Sequence, residues 1–174
     1  MSEGTLRPIE ENDLTLVRAW RNAERVRRWM FTDHEISEAE HRAWFQKLSF
    51  DATRKTWIYE EAGRPLGVVN VTGIDHGKGA CSWGFYLGED NLPPGTGSAM
   101  GAAALKKIFE QLGVTQVNGE AIATNDGSIA FHRKLGFSET GRRAGGAMKN
   151  GQPVDVVQFS ILKRHWIARG QEHK

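Results

Sequence analysis

The sequence predicts one α+β domain spanning residues 1–174, with helices first and an antiparallel run of strands after them. Three observations support this fold class. Apolar residues recur at helical spacing through the first fifty positions, and they alternate at strand spacing through much of the next forty. A Gly-rich turn then joins a strand to a helical segment, and another strand follows. We therefore expect a right-handed crossover connection between two parallel strands.

The composition of the chain limits the classes of protein to which it can belong. A chain of 174 residues with net charge +2 can bury a core and gives no reason to expect a nucleic-acid partner. The single cysteine, Cys81, permits no internal disulfide, and no signal region or membrane-spanning apolar stretch is present. We expect a cytoplasmic protein, monomeric or homodimeric, that does not bind a membrane. The six histidines show no paired ligand spacing, so no metal is expected.

The N-terminal part predicts a short strand and three helices. Residues 5–9 form the strand, which lies at a sheet edge because Pro8 cannot donate a ladder hydrogen bond. Asn12 or Asp13 can cap the first helix, and Ser37 begins a capping box before the third. The apolar or aromatic faces of the three helices are Leu14, Val17 and Trp20; Val26, Trp29 and Met30; and His41, Trp44, Phe45 and Leu48.

Strand patterns dominate the middle and the end of the chain. Residues 56–60 and 66–74 read as a hairpin, and a further strand ends at Leu87. Residues 117–124 form a strand, and a helix over 128–135 follows, capped by Asn125 or Asp126 and stopped by Gly136. A last hairpin turns at residues 150–151 and continues to residue 162. We expect the polar residues after 166 to fray.

The Gly-rich turn precedes a helix with an apolar stripe. Gly95 and Gly97 stand just before Met100, Ala104, Ile108 and Leu112. The first N–H groups of a helix lack internal acceptors and lie at the positive end of its dipole, so this turn can cradle a diphosphate. A tight connection between a strand and a helix would explain the glycines equally well. No Gly-Lys-Ser/Thr follows, which excludes a Walker loop.

A second motif strengthens the first. Residues 125–137 read as a capped helix that ends in glycine. Together the two segments resemble the GNAT superfamily of acetyl-CoA-dependent N-acetyltransferases. The first family motif, Gln/Arg-x-x-Gly-x-Gly/Ala, is matched at Gly95 and Gly97, with Leu92 in place of Gln or Arg. The second, Asn-x-x-Ala-x-x-x-Tyr-x-x-x-Gly-Phe, is matched by Asn125, Ser128, His132, Gly136 and Phe137, with His132 in place of Tyr.

The resemblance implies a fold, a co-substrate and a reaction. The sheet should be mixed but mostly antiparallel, with about seven strands, splayed in the middle and flanked by about four helices. Acetyl-CoA should donate its acetyl group to an amine that attacks the thioester directly. His132 would protonate the departing thiolate, and Glu120 would act as a base through water, although the reaction can proceed without a dedicated base. The cofactor contacts expected are Leu87, Gly95, Thr96, Gly97, Ser98, Ala99, Asn125 and Ser128.

The N-terminal half resembles one branch of the superfamily. Residues 20–22, 29–31, 37–45 and 84–88 are similar to the N-acetyltransferases of pseudaminic acid biosynthesis. That branch acetylates the 4-amine of a UDP-linked 4-amino-4,6-dideoxy-N-acetyl-β-L-altrosamine. Aromatic side chains can stack on the base of a nucleotide sugar, and cationic side chains can bind its phosphates. The resemblance implies these substrate-binding residues: Arg21, Met30, Phe31, His41, Trp44, Asn70, Thr72 and Tyr86.

Other functions fit the same motifs. A related acetyltransferase could act on the N-terminus of a ribosomal protein or on a different amino sugar. A non-catalytic acyl-CoA sensor is the alternative of another class, because Leu92 and His132 both depart from the family pattern.

Overall fold

Seven strands form one open sheet in the computed structural model, which describes residues 3–172. The strands are β1 (Thr5–Pro8), β2 (Lys55–Glu61), β3 (Arg64–Asp75), β4 (Ala80–Leu87), β5 (Gln116–Ile122), β6 (Ser138–Lys149) and β7 (Gln152–Leu162). Their order is β1-β2-β3-β4-β5-β7-β6, and β4–β5 is the one parallel pair. The predicted edge position of β1 and the parallel crossover are confirmed.

The parallel pair separates soon after it begins. Pairing of β4 with β5 runs from Ala80 and Gln116 only to Ser82 and Asn118. Beyond that point β4 continues beside β3, and β5 continues beside β7. The middle of the sheet therefore opens into a wedge-shaped gap, as the resemblance implied.

Within the described residues, six α-helices accompany the sheet, where about four were expected. One of the additional helices is a single turn, and the other occupies the C-terminal segment that we expected to fray. That segment is held by distant contacts, because Trp166 packs against the core and Arg169 donates to the Lys134 carbonyl at 2.8 Å. The helices are α1 (Leu14–Asn22), α2 (Glu24–Arg27), α3 (Glu38–Leu48), α4 (Thr96–Gln111), α5 (Asp126–Leu135) and α6 (Lys163–Glu172).

Two of the predicted helix caps form, and one does not. Ser37 accepts from the Glu40 N–H at 3.1 Å, and Asn125 accepts from the Ser128 N–H at 3.1 Å. The carboxylate of Asp13 instead binds the Arg7 guanidinium at 2.7 and 2.8 Å. This ion pair lowers the pKa of Asp13. The carboxylate is thus committed to tying β1 to the start of α1 and does not cap the helix.

The sheet carries helices on both faces. On one face Val69, Val71 and Trp83 pack with the apolar stripe of α4. On the other face Ile58 and Val68 pack with α1. Cys81 is buried in the first core, and burial raises the pKa of its thiol to about 11, which fits a packing role. Among residues 3–172, no helix is long and apolar enough to cross a membrane.

Candidate active site

A cavity of about 940 Å³ occupies the gap between β4 and β5. The ends of both strands line it, and so do Gly97 at the start of α4 and Asn125, Ser128 and Phe131 at the start of α5. The two segments carrying the family motifs therefore meet at one opening. The crossover brings them together because both helices begin at the edge where β4 and β5 end.

A second cavity, of about 350 Å³, adjoins the first on the opposite face of the sheet. It lies between α1, α3 and the outward side chains of β3 and β4. Because the two cavities share lining residues, a molecule bound on one face can reach a molecule bound on the other. The shared residues are Met30, Asn70, Thr72, Gly84, Phe85 and Tyr86.

The start of α4 has the geometry of an anion site. Gly95 adopts φ of 94°, a left-handed conformation that favours glycine, and the helix begins at the next residue. Within the part of the chain that the structure describes, the N–H groups of Gly97 and Ser98 have no acceptor. Thr96 is buried, and its hydroxyl and its backbone N–H both donate to the Pro93 carbonyl, at 2.8 and 3.2 Å, so neither donor is left for a ligand. Gly95, Ser98 and Ala99 surround the helix start without lining the cavity itself.

His132 does not have the surroundings expected of a general acid. It is 1% exposed, and its ring is not among the groups lining the cavity. Its Nε2 accepts from the Trp83 indole at 3.2 Å, and its Nδ1 donates to the Ser128 carbonyl at 2.8 Å. The ring also stacks on Phe159 with centroids 4.6 Å apart.

These contacts correct the role predicted for His132. Burial lowers its pKa to about 4, so the ring is neutral at pH 7. Both nitrogens are already engaged, and the ring has no proton in a position to reach a thiolate. His132 instead holds Trp83 in place at the wall of the gap. Gly119 of β5 leaves room for this pair, because a Cβ there would lie 2.5 Å from His132 Nε2.

Glu120 lines the larger cavity, where its role as a base was expected. Its carboxylate is held by Arg143 at 2.8 Å and contacts the Gln158 amide at 3.4 Å. The carboxylate is therefore already held by a cation at the wall of the cavity.

The residues predicted to bind substrate are brought together by the fold. Met30, Asn70, Thr72 and Tyr86 line both cavities. Phe31 lines only the larger, and Arg21, His41 and Trp44 line only the smaller. His41 is buried and stacks on Trp44 with ring centroids 5.0 Å apart.

Sequence reasoning missed part of the site. Arg25 was not among the predicted site residues. It lines the larger cavity and donates to the carbonyls of Leu87 and Gly88, at the end of β4. Trp83 and Phe85 also line the gap and were not among the predicted site residues. Nothing local in the sequence marks these contacts, since Arg25 and Leu87 are 62 residues apart. Within residues 3–172, no group of three potential ligand side chains is placed to hold a metal ion.

Comparison with known proteins agrees with this geometry. The family described as the acetyltransferase (GNAT) domain matches residues 5–138. The spermidine N(1)-acetyltransferase of Escherichia coli K12 is 24% identical over 169 residues, which cover 97% of this chain and 89% of that protein. The putative ribosomal N-acetyltransferase YdaF of Bacillus subtilis is 24% identical over 152 residues, covering 83% of this chain and 82% of that protein.

A solved structure supports the fold. The crystal structure of spermidine N-acetyltransferase from Vibrio cholerae, in complex with CoA and spermine, superposes with a TM-score of 0.88. Its sequence is 20% identical, and the match covers 95% of this chain and 98% of that one. The family match spans most of the chain, and the two motifs lie together at the gap in the sheet. The chain belongs to the GNAT acetyltransferase family and is an acetyl-CoA-dependent N-acetyltransferase.

Proposed function

We propose that the enzyme acetylates the 4-amine of a UDP-linked 4-amino-4,6-dideoxy-N-acetyl-altrosamine. Acetyl-CoA binds on the face that carries α4 and α5, with its pyrophosphate at the N–H groups of Gly97 and Ser98. The amino sugar binds on the face that carries α1 and α3. Its amine reaches the thioester at the gap between β4 and β5, where the two cavities adjoin.

The charge of the lining side chains is the observation that carries this proposal. Among the described residues, Glu40 and Glu120 are the carboxylates lining the cavities, and each already has a cationic or basic partner. Glu40 contacts His34 at 2.8 Å, and Glu120 contacts Arg143 at 2.8 Å. Within residues 3–172, Arg21 meanwhile has one buried guanidinium nitrogen without a hydrogen-bond acceptor. This arrangement favours a substrate rich in acceptor oxygens over a polycation.

The reaction requires little of the protein beyond positioning the amine and the thioester. The neutral amine attacks the thioester carbonyl, and a backbone N–H of β4 near Leu87 stabilises the oxyanion that forms. Collapse of this intermediate breaks the C–S bond and releases CoA as a thiolate. The amine loses its proton to a water molecule, through which Glu120 acts as the base. The thiolate takes a proton from solvent, because His132 has none to offer. Proximity and orientation supply most of the rate.

Polyamine acetylation is the second candidate. The names of the relatives in Escherichia coli and Vibrio cholerae favour it. It requires a free carboxylate to hold each ammonium group, and this chain would have to release Glu40 or Glu120 from its partner. Acetylation of a ribosomal-protein N-terminus is supported by the name of the Bacillus subtilis relative. A non-catalytic acyl-CoA sensor would bind the thioester and turn over none of these amines.

The test compares three amines on one enzyme preparation. Acetyl-CoA binding is measured by calorimetry, and free thiol is then measured after addition of the UDP-amino sugar, spermidine or a ribosomal-protein N-terminal peptide. We expect thiol release with the sugar at a kcat/KM at least about a hundredfold above that for spermidine, a difference of about 3 kcal/mol. A preference for spermidine or the peptide would overturn the sugar assignment. Binding without release from any amine would favour the sensor.

A further inference from the structure

The end of β4 is held by a side chain from α2. Arg25 Nη1 donates to the Leu87 carbonyl at 3.1 Å, and Nη2 donates to the Gly88 carbonyl. Its Nε pairs with the Asp90 carboxylate at 2.6 Å. All three nitrogens of the guanidinium therefore bind one short segment, residues 87–90. A guanidinium presents its donors in a rigid plane, so these contacts fix the orientation of the segment.

The backbone of Leu87 faces the gap in the sheet and not β3. The N–H of the next residue, Gly88, donates to the Leu66 carbonyl of β3 at 2.7 Å. Opposed residues in an antiparallel ladder alternate between pairs that exchange hydrogen bonds and pairs that do not. Leu87, opposed to Gly67, is therefore in a pair of the second kind, and its N–H and carbonyl point towards β5. Pairing of β4 with β5 stops well before this point, so both groups border the open gap.

The two backbone groups of Leu87 would affect acetyl transfer in opposite ways. Its N–H can stabilise the negative oxygen that forms when an amine adds to the thioester. Its carbonyl oxygen carries partial negative charge at the same edge and would repel that oxygen if the peptide were free to turn. Arg25, which lines the larger cavity, occupies this carbonyl. The N–H is then the Leu87 backbone group that remains for the thioester.

Other contacts hold the end of β4 in the fold. The indole of Trp20 in α1 donates to the Glu89 carboxylate at 3.3 Å. Gly88 lies so close to that indole that a Cβ would have no room, and two N–H groups of the segment bond to β3. Removing the Arg25 guanidinium should therefore loosen the orientation of this segment without unfolding the protein, so its role in the reaction can be tested separately from stability.

We propose that Arg25 is a positioning residue for acetyl transfer, which holds the Leu87 carbonyl so that the Leu87 N–H points at the thioester oxygen. The inference rests on the oxyanion role of β4 in the proposed function and is independent of which amine the enzyme acetylates. It makes α2, which leads into the loop lining the acceptor side of the larger cavity, a part of the donor site as well.

The first experiment measures the polarisation of the bound thioester without turnover. Acetyl-CoA isotopically labelled at the acetyl carbonyl is bound to the enzyme, and its carbonyl stretch is recorded by infrared difference spectroscopy. A hydrogen bond to the carbonyl oxygen lowers this frequency, so we expect a lower value in the wild type than in free acetyl-CoA. In Arg25→Met the frequency should return towards the free value. Arg27→Met is the matched control and should resemble the wild type, because Arg27 lies on the same helix, bonds to Glu24 and is not among the residues lining either cavity.

Steady-state kinetics give the second readout, with whichever of the three amines is turned over. Arg25→Met should lower kcat at least about tenfold, while acetyl-CoA affinity measured by calorimetry changes less than about threefold. Arg25→Lys should recover part of kcat, since an ammonium can donate to the Leu87 carbonyl but cannot span Gly88 and Asp90 as well. Asp90→Asn should give a smaller loss of kcat. Thermal unfolding of each variant reports on the fold.

The outcomes separate this inference from the identity of the amine. If spermidine is acetylated in an Arg25-dependent way and the UDP-amino sugar is not, the positioning role stands and the sugar assignment fails. If no amine is turned over, an Arg25-dependent carbonyl frequency still supports the role. Equal carbonyl frequencies in the wild type and Arg25→Met would overturn it. Equal losses of kcat and acetyl-CoA affinity would also overturn it, because they would indicate that Arg25 only supports packing.

Discussion

The packing around His132 prevents it from acting as the general acid that its position in the sequence implies. It stands at the position of the family tyrosine, yet it is enclosed by Trp83, Phe159 and the first turn of α5. The neighbours that decide its protonation come from three different elements. A sequence places His132 on a helix, but only the packed structure shows that both of its nitrogens are in use.

The burial of His132 makes a prediction about acid stability. Its pKa is lowered from 6.5 to about 4 in the folded protein, so the unfolded chain binds the proton more readily. This contribution to stability is complete above pH 6.5 and is lost as the pH falls towards 4, by up to about 3 kcal/mol. The measurement is the free energy of unfolding in denaturant between pH 8 and pH 4.

His132→Phe is the matched variant for this prediction. It keeps the ring but leaves the Trp83 indole without an acceptor, so at pH 8 it should be less stable by about 1–3 kcal/mol. It lacks the titrating group, so the stability difference should shrink as the pH falls, while His41 titrates in both proteins and cancels. A difference that stays constant with pH would contradict the assignment of a neutral, buried His132.

Gly97 allows a test of the cofactor site at the start of α4. In Gly97→Val the new Cβ lies 3.6 Å from Leu87 and 4.0 Å from Phe131, which are ordinary contacts, so the protein should fold. Calorimetry should show acetyl-CoA affinity reduced by at least about tenfold, because a β-branched side chain, unlike the alanine that the family motif admits, crowds the approach of phosphate to the helix N–H groups. Gly170→Val in α6, where a Cβ meets nothing within 4 Å among residues 3–172, is the control. Equal affinities in the two variants would remove Gly97 from the cofactor site.

The β6–β7 hairpin positions a distant loop in addition to pairing its own two strands. Its turn at Asn150-Gly151 was predicted from the sequence and forms with both φ values positive. The turn also reaches the loop between α2 and α3, which carries Met30 and Phe31. Lys149 Nζ lies 2.7 Å from Asp33 and donates to the Met30 carbonyl at 2.7 Å, and the Asn150 N–H donates to Asp33 at 2.8 Å. The hairpin therefore fixes the position of a loop that lines the substrate cavity.

This contact predicts a kinetic effect far from the reacting atoms. Asp33→Asn and Lys149→Met should each raise KM for the amine by about tenfold, with acetyl-CoA affinity changed less than about twofold, because the loop loses its position. The double variant should resemble the single variants, since the partners act as one unit. Additive losses, or an equal loss of acetyl-CoA affinity, would show that the hairpin does not act through this loop. Steady-state kinetics and calorimetry supply both readouts.

At the scale of the whole molecule, the two cavities lie on opposite faces of the sheet and adjoin at the gap between β4 and β5. Gly84 of β4 lines both cavities and pairs with Asn70, and a Cβ at this position would meet no heavy atom of residues 3–172 within 4 Å. Nothing in the packing therefore requires glycine here, and the missing side chain keeps the passage between the faces open.

Gly84→Val tests whether substrate and cofactor meet through this passage. The variant should fold at least as well as the wild type, because a β-branched residue suits a strand and the space is empty. Its isopropyl group should narrow the passage and lower kcat/KM for the amine by at least about tenfold. Thermal unfolding and acetyl-CoA binding serve as controls for the fold and the donor site. Normal turnover in a stably folded variant would show that the amine reaches the thioester by another route.

Much of the architecture followed from local patterns, because those signals act over a few residues. Ser37 and Asn125 cap their helices as predicted, and the strands of both hairpins lie where alternation placed them. The prediction failed where distant contacts override local preference. The C-terminal residues form α6 because Trp166 and Arg169 find partners elsewhere, and Asp13 binds Arg7 in preference to capping its helix.

The candidate site likewise combines features that local sequence predicts with features that only distant contacts determine. Glycines at 95 and 97, followed by an apolar helical stripe, were enough to predict the anion cradle, since backbone geometry depends on neighbouring residues. The tertiary structure alone decided that His132 is neutral, that one Arg21 nitrogen has no acceptor among the described residues and that Arg25 holds the end of β4. Hydrogen bonding and desolvation in these cases join residues 49 and 62 positions apart, and no local pattern encodes which groups will meet.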